Sequence, residues 1–206
     1  MGFLFGKPKL DREEFNQCLK YLEEHYKLTT FQEKEADIYN ESLTQYMPSL
    51  TTDSHSAKEM LKVAERFKKA AHLLLTRSKQ LVSVPESAGA LHFAWQIVFS
   101  DYTAWVDAQY AVYTAIAQGK PPFAEHVQTL FRQQEKSHQK ALQEEKKLLK
   151  LLRANGLTTS DIQRLTDKAF AAVEAENWQA KEVKQKPQET TNSEKQTRRK
   201  LGFIKD

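Results

Sequence analysis

The chain has one cysteine, six glycines and six prolines in 206 residues. A single thiol excludes an intramolecular disulfide and any paired-cysteine metal or redox site. So few turn-forming residues argue against a fold of many short strands, which needs frequent Gly- or Pro-bearing turns. Also missing are a glycine-rich phosphate loop, a His-Glu-x-x-His pair, a Gly-x-Ser-x-Gly elbow and a Ca²⁺ loop. Active sites also assemble from residues far apart in sequence, so these absences weigh against an enzyme only by degree. No uncharged run is long enough to span a bilayer: the longest stretch, Ser87 to Ser100, is followed by Asp101 and Asp107. The apolar part of the N-terminus is only Phe3 to Phe5 before Lys7, too short for a secretory signal, and the expected compartment is the cytoplasm.

What is present describes a globular chain with a heavily charged surface: 40% of residues are hydrophobic and 28% charged. The length allows one ordinary domain with a core of its own. The net charge of +4 is unevenly placed: from Lys184 to Asp206 there are seven Lys and Arg against three Asp and Glu. Lys7 and Lys9 add two more positive charges, which leaves residues 10–183 at −2. The body is near neutral and the ends are basic, so the basic balance does not mark a nucleic-acid-binding domain.

Apolar periodicity predicts helices throughout. Asp11 and Glu14 stand in the capping-box relationship, and Phe15, Leu19, Leu22 and Tyr26 form one face. Thr29-Thr30 allows a break here, so 11–47 is either one helix or a helical hairpin, stopped by Pro48. Asp53 or Ser54 caps the next helix. In it Ala57, Leu61, Ala64, Phe67, Ala71, Leu74, Ser78 and Leu81 repeat at three and four residues, the seam of a helix packed lengthwise on others. Cys18 lies beside Leu19 and reads as a small apolar packing residue.

After Pro85 a helix over roughly 86–118 is apolar on most sides and so belongs in the middle of a bundle. It collects seven of the 21 aromatic residues, including Trp95, Phe99, Tyr102 and Trp105. Gly119 ends it. A further helix spans roughly 123–154, carrying Phe123, Val127, Leu130, Phe131, Leu142, Leu148 and Leu152, and closes at Gly156. Thr159 or Ser160 caps a last one over 159–183, with Ile162, Leu165, Ala169, Phe170 and Val173 and with Trp178 near its end. The expected fold is all-α: an antiparallel up-down bundle of about five to six long helices, joined by short connections. The layout is an apolar and basic segment at 1–10, a helical body at 11–183 with three long helices over 54–155, and a disordered basic tail at 184–206.

Candidate chemistry is sparse. Glu135 and His138 form a Glu-x-x-His pair, the spacing of a ferritin-like di-iron helix. No second such pair exists, and Lys136 and Lys140 flank His138, which suggests a solvent-facing position and no metal. Asp101 and Asp107 point about 120° apart on one helix, so they are expected to pair with neighbouring helices and not to form a carboxylate dyad. His92, Trp95, Asp101, Tyr102, Trp105 and Asp107 remain the alternative reading, a groove on the aromatic helix that makes the bundle a small-molecule or metal-binding protein, catalytic or not. No cofactor is expected.

The two ends stand out. Phe3, Leu4 and Phe5 followed by Lys7 and Lys9 suit shallow insertion at an anionic lipid surface. These nine residues resemble the short N-terminal anchors of ESCRT-type membrane-remodelling proteins, a likeness that implies peripheral membrane attachment. The body departs from that family, because it lacks a strongly basic first hairpin. Gly2 does not open a myristoylation motif, since Gly6 stands where Ser or Thr is needed. At the other end Arg198, Arg199 and Lys200 precede Leu201, Phe203 and Ile204, a linear segment suited to a partner's groove, to a membrane or to the protein's own bundle. The expectation is a non-enzymatic adaptor or scaffold whose ends dock on a protein partner or an anionic membrane. A homo-oligomer is compatible with the long seam. Nucleic acid, reached only through the basic tail, is a lesser alternative.

Overall fold

The computed structural model describes residues 9–81, 83–120 and 124–175, and within them the fold is an all-α helical bundle. Helix α1 (Arg12–Tyr46) is capped by the Asp11 carboxylate, which accepts from the Glu14 N–H at 2.7 Å. It runs about 52 Å without a break. The Thr29 hydroxyl donates back to the Tyr26 carbonyl at 3.1 Å, so this pair of threonines continues the helix. A 3₁₀ turn over Met47–Ser49 holds Pro48 and ends the run. Helix α2 (Ser54–Lys79) starts on Asp53, whose carboxylate accepts from the His55 and Ser56 N–H groups at 3.0 and 2.9 Å.

Helix α3 (Gly89–Ala117) follows Pro85 and a 3₁₀ turn over Glu86–Ala88. It stops at Gly119, at φ 74°, where the Gly119 and Lys120 N–H groups turn back to the Ile116 and Ala115 carbonyls. Helix α4 (Ala124–Ala154) ends the same way at Gly156, φ 109°, with Leu157 folded back onto the Leu152 carbonyl at 3.0 Å. The cap of α5 (Thr159–Ala175) is Thr158, one residue earlier than the sequence suggests. Its hydroxyl accepts from the Asp161 N–H at 3.2 Å while the Asp161 carboxylate accepts from the Thr158 N–H at 3.0 Å, and this reciprocal pair fixes the start. Phe123, Trp178 and the expected continuation to residue 183 lie outside the described residues, as do the basic tail and residues 1–8.

Side-chain contacts give the directions. Glu35 meets Arg66, Ser78 meets Gln96 and Trp95 meets His138, so α1–α2, α2–α3 and α3–α4 are antiparallel neighbours. Helices α1 and α3 therefore run parallel, matched by Cys18 with Ser87 and Tyr39 with Gln109. Helix α5 lies against α1 in the same direction, tied by Lys168 to Glu23 and Lys34 to Glu174.

The α2 seam largely follows its periodicity: Ala57, Ala64, Phe67, Ala71, Leu74 and Ser78 are buried, but Leu61 is half-buried while its neighbour Met60 is fully buried, and Leu81, half-buried, lies beyond the helix end at Lys79. Its alanines allow close approach while Phe67 and Leu74 fill the space between helices. Helix α3 presses on α2 and α4, and its fourth side faces solvent, where Phe93 remains 64% exposed. The apolar helix is thus covered on three sides and is not surrounded. Among the described residues no helix is long and apolar enough to cross a membrane.

Candidate functional site

In a square four-helix bundle the first and last helices close the ring. Here extensive backbone approach joins α1 to α2, α2 to α3, α3 to α4 and α1 to α5, but not α1 to α4. The spacing follows from what stands at the core-facing positions. On α4 these recur as Val127, Phe131, Gln134, His138, Ala141, Glu145, Leu148 and Leu152. On α1 they include Tyr21, His25 and Tyr26, the last hydrogen-bonded to Glu145 of α4, whereas Glu35 and Tyr39 turn to α2 and α3. Long polar and aromatic side chains fill this seam, and they hold the two helices apart where Leu or Ala would draw them together.

The two halves of the seam differ. Toward the start of α1, Leu22, His25, Ala141, Leu148 and Leu152 are buried, and α5 packs beside them. Toward its end the same seam positions, Gln32, Ala36 and Leu43, are only half-buried. On the facing wall Val127 is half-buried and Phe131 is 49% exposed, its ring edge-on to Trp105 at 5.8 Å. The floor is Trp105 and Gln109 of α3, both half-buried. This half of the seam is the less covered one, with Ala36, Leu43, Val127 and Phe131 on its two sides and Trp105 between them, and we refer to it as the α1–α4 groove.

The groove's α1 lip is acidic. Glu33, Asp37 and Glu41 recur every fourth residue and are exposed, and none makes an ion pair with another described residue. Protein crowding around the Glu33 carboxyl, with Asp37 next to it, raises its pKa although water reaches the side chain. Glu145, deeper in the seam, is also raised by desolvation, against the pull of a hydrogen bond from the Tyr26 hydroxyl; Glu33 adds to the rise.

The closed half holds a histidine-aromatic cluster. His25 is 1% exposed, stacks on Tyr21 at 5.9 Å and sits edge-on to Trp95 at 4.9 Å. Burial, with His92 nearby, holds its pKa down at about 3, so the ring is neutral. His92 and His138 are lowered in the same sense by desolvation. Tyr21 OH, His25 Nε2 and Trp95 Nε1 are buried without a hydrogen-bond partner among the described residues, as are Tyr102 OH and Trp105 Nε1 nearer the groove. Such groups destabilise a core, so polarity here is not explained by packing alone.

Of the residues singled out on the aromatic helix, Trp95 and His92 belong to the histidine cluster and Trp105 to the groove floor, while Tyr102 is buried behind Trp105 against Phe67 of α2. Asp101 turns to α4, where it accepts from Gln133 at 3.0 Å and from the Ser137 hydroxyl. Asp107 turns to α2, where His72 Nε2 lies at 3.0 Å and Lys68 Nζ at 3.3 Å. The two carboxylates engage helices on opposite sides of α3 and share no site. His138 is not on the solvent face: its ring lies 5.7 Å from Trp95. Residues two positions away point about 200° round a helix, so Lys136 and Lys140 mark the opposite face as exposed and His138 as inward. Among the described residues no three His, Cys, Asp or Glu side chains group so as to hold a metal. Of the terminal segments only Lys9 is described, and it is exposed; Phe3, Leu4, Phe5, Lys7, Arg198, Arg199, Lys200, Leu201, Phe203 and Ile204 lie outside the described residues.

Compared with protein-family models, curated proteins and solved structures, the chain matches none. Its function has to be argued from the site. Tyr21, His25, Gln134 and Glu145 were legible only as polar residues falling in phase with an apolar seam, and the acidic lip only as a four-residue repeat.

Proposed function

We propose that the chain is a non-enzymatic helical-bundle adaptor that receives an amphipathic, basic segment of a protein partner in the α1–α4 groove. The observation that carries this reading is the exposed Phe131 on an aromatic floor beside an acidic lip with no ion-pair partners among the described residues. Apolar side chains of a visiting helix or strand would cover Phe131, Leu43 and Ala36, and its Lys or Arg side chains would meet Glu33, Asp37 and Glu41. Asp101 and Asp107 engage helices on opposite sides of α3, so the two carboxylates singled out on the aromatic helix do not act together. The N-terminal Phe3–Lys9 segment would add attachment to an anionic membrane, the second of two weak contacts.

The test compares wild type with Leu43→Lys and Phe131→Lys by cross-linking and affinity recovery from the source cells. Polypeptides recovered with wild type and lost with both variants, at unchanged helicity and melting temperature, are the expected result. Recovery that ignores both substitutions refutes the groove. Co-sedimentation with anionic vesicles tests the membrane contact separately; equal pelleting of wild type and a variant lacking residues 1–9 removes it.

A further inference from the structure

We infer that the α1–α4 groove is also the docking site of the chain's own segment Arg198–Ile204, which guards it in the absence of a partner. This inference rests on the groove reading above and names its regulation. Three observations point to this occupant.

The first is charge. The lip presents Glu33, Asp37 and Glu41, exposed and without ion-pair partners among the described residues, while Arg198, Arg199 and Lys200 are consecutive cations. Residues 184–206 carry +4 against the −2 of residues 10–183, so long-range attraction brings the segment to the body and not away from it. The second is apolar content. Leu201, Phe203 and Ile204 follow the cations directly, the composition needed to cover Ala36, Leu43 and Phe131. A purely basic tail would satisfy the lip and leave the walls bare.

The third is position. Helix α5 ends at Ala175, and the Lys34 ammonium lies 3.2 Å from Glu174 and 4.1 Å above the Phe170 ring. The chain therefore leaves the described body beside Lys34, next to Glu33 at the head of the acidic lip. From there to Leu43 is about 15 Å along α1. The 22 residues from 176 to 197 reach at most about 75 Å, so the connection does not limit docking. Tethering places the segment at an effective concentration of about millimolar, enough for a contact that would be weak between separate molecules.

The experiment uses the full chain. Wild type is compared with a triple variant, Arg198→Glu, Arg199→Glu and Lys200→Glu. A charge-swapped chain adds Glu33→Lys, Asp37→Lys and Glu41→Lys to that triple. Amide exchange over residues 32–46 and 127–135 is followed at low and high salt, with urea unfolding as the control for the fold. We expect about tenfold faster exchange over those two stretches in the triple variant at low salt, unchanged exchange in α2, and recovery of protection in the swapped chain. High salt should bring wild type toward the triple variant, because the screening length shrinks to about 3 Å at 1 M salt and weakens these exposed charge contacts. Equal exchange in wild type and triple variant overturns the inference, as does a swapped chain that stays unprotected at an unchanged urea midpoint. Protection that grows with protein concentration also overturns it, by assigning the contact to a second copy. The measurement needs no partner, so its failure leaves the adaptor reading intact. A protected groove with no groove-dependent partner removes the adaptor reading alone.

Discussion

Acid should loosen this bundle, and His25 is the group that tests it. In the fold its ring is neutral with a pKa of about 3; in the unfolded chain it returns to 6.5. Below pH 6.5 the unfolded chain binds a proton that the native state refuses, so stability is complete above that pH and falls as pH drops toward 3. The slope approaches about 1.4 kcal/mol per pH unit once the unfolded ring is charged, so the loss between pH 6.5 and 4.5 is about 2.3 kcal/mol. The groups around it set the rest. His92 from α3 and His138 from α4, both lowered, act in the same sense. Glu33 and Glu145, both raised, act in the opposite sense, since the native state takes up their protons first. Tyr21 and Trp95 contact the ring without charging in this range. Urea unfolding across this range isolates His25 when wild type is set against His25→Phe, which keeps a flat ring and removes both the titration and the unpaired Nε2. The variant should lose about 1.4 kcal/mol per unit of the acid slope. Parallel stability curves for the two proteins would refute the assignment.

Other perturbations test the frame. Glu35 and Arg66 form a two-bond ion pair at 3.1 and 2.9 Å, with the Glu35 side chain 8% exposed. Glu35→Ala should cost about 3 kcal/mol in urea unfolding, and the double replacement Glu35→Leu with Arg66→Met should recover most of it. Thr158→Ala removes the α5 cap and should cost about 1 kcal/mol, lowering the melting temperature. Phe99→Ala opens a cavity at a side chain 1% exposed and should cost about 4 kcal/mol by the same denaturant assay.

How much of this the sequence disclosed depends on the chemistry of each seam. Most of the α2 seam was readable because its apolar residues recur at three and four positions among charged ones, although Met60, fully buried, was passed over for the half-buried Leu61. The stops at Gly119 and Gly156 were readable because each takes a left-handed conformation that other residues resist. Helix α1 was harder: Thr29 and Thr30 resemble a break, and only their setting, with the Thr29 hydroxyl satisfied locally and Thr30 buried, shows why they are not one. The core positions of α1 and α4 were hardest. Tyr21, His25, Gln134, His138 and Glu145 are polar, so a search for apolar periodicity passes over the residues that line the site. The separation of α1 from α4 is a tertiary outcome of their bulk, and no local pattern contains it.

The attachment of α5 has a kinetic consequence. The contacts joining α1 to α2, α2 to α3 and α3 to α4 link successive elements, whereas Glu23 to Lys168 and Lys34 to Glu174, which hold α5 on α1, bridge 145 and 140 residues. Ordering the chain between such distant partners costs the most entropy per contact, so the hairpins should form early and α5 should dock last. The reverse path begins in the same place: α5 is the segment expected to detach at a free energy below that of global unfolding. Native-state hydrogen exchange would then report Ala169 and Val173 as buried yet early to open, a helix that belongs to the core by packing and to the periphery by time.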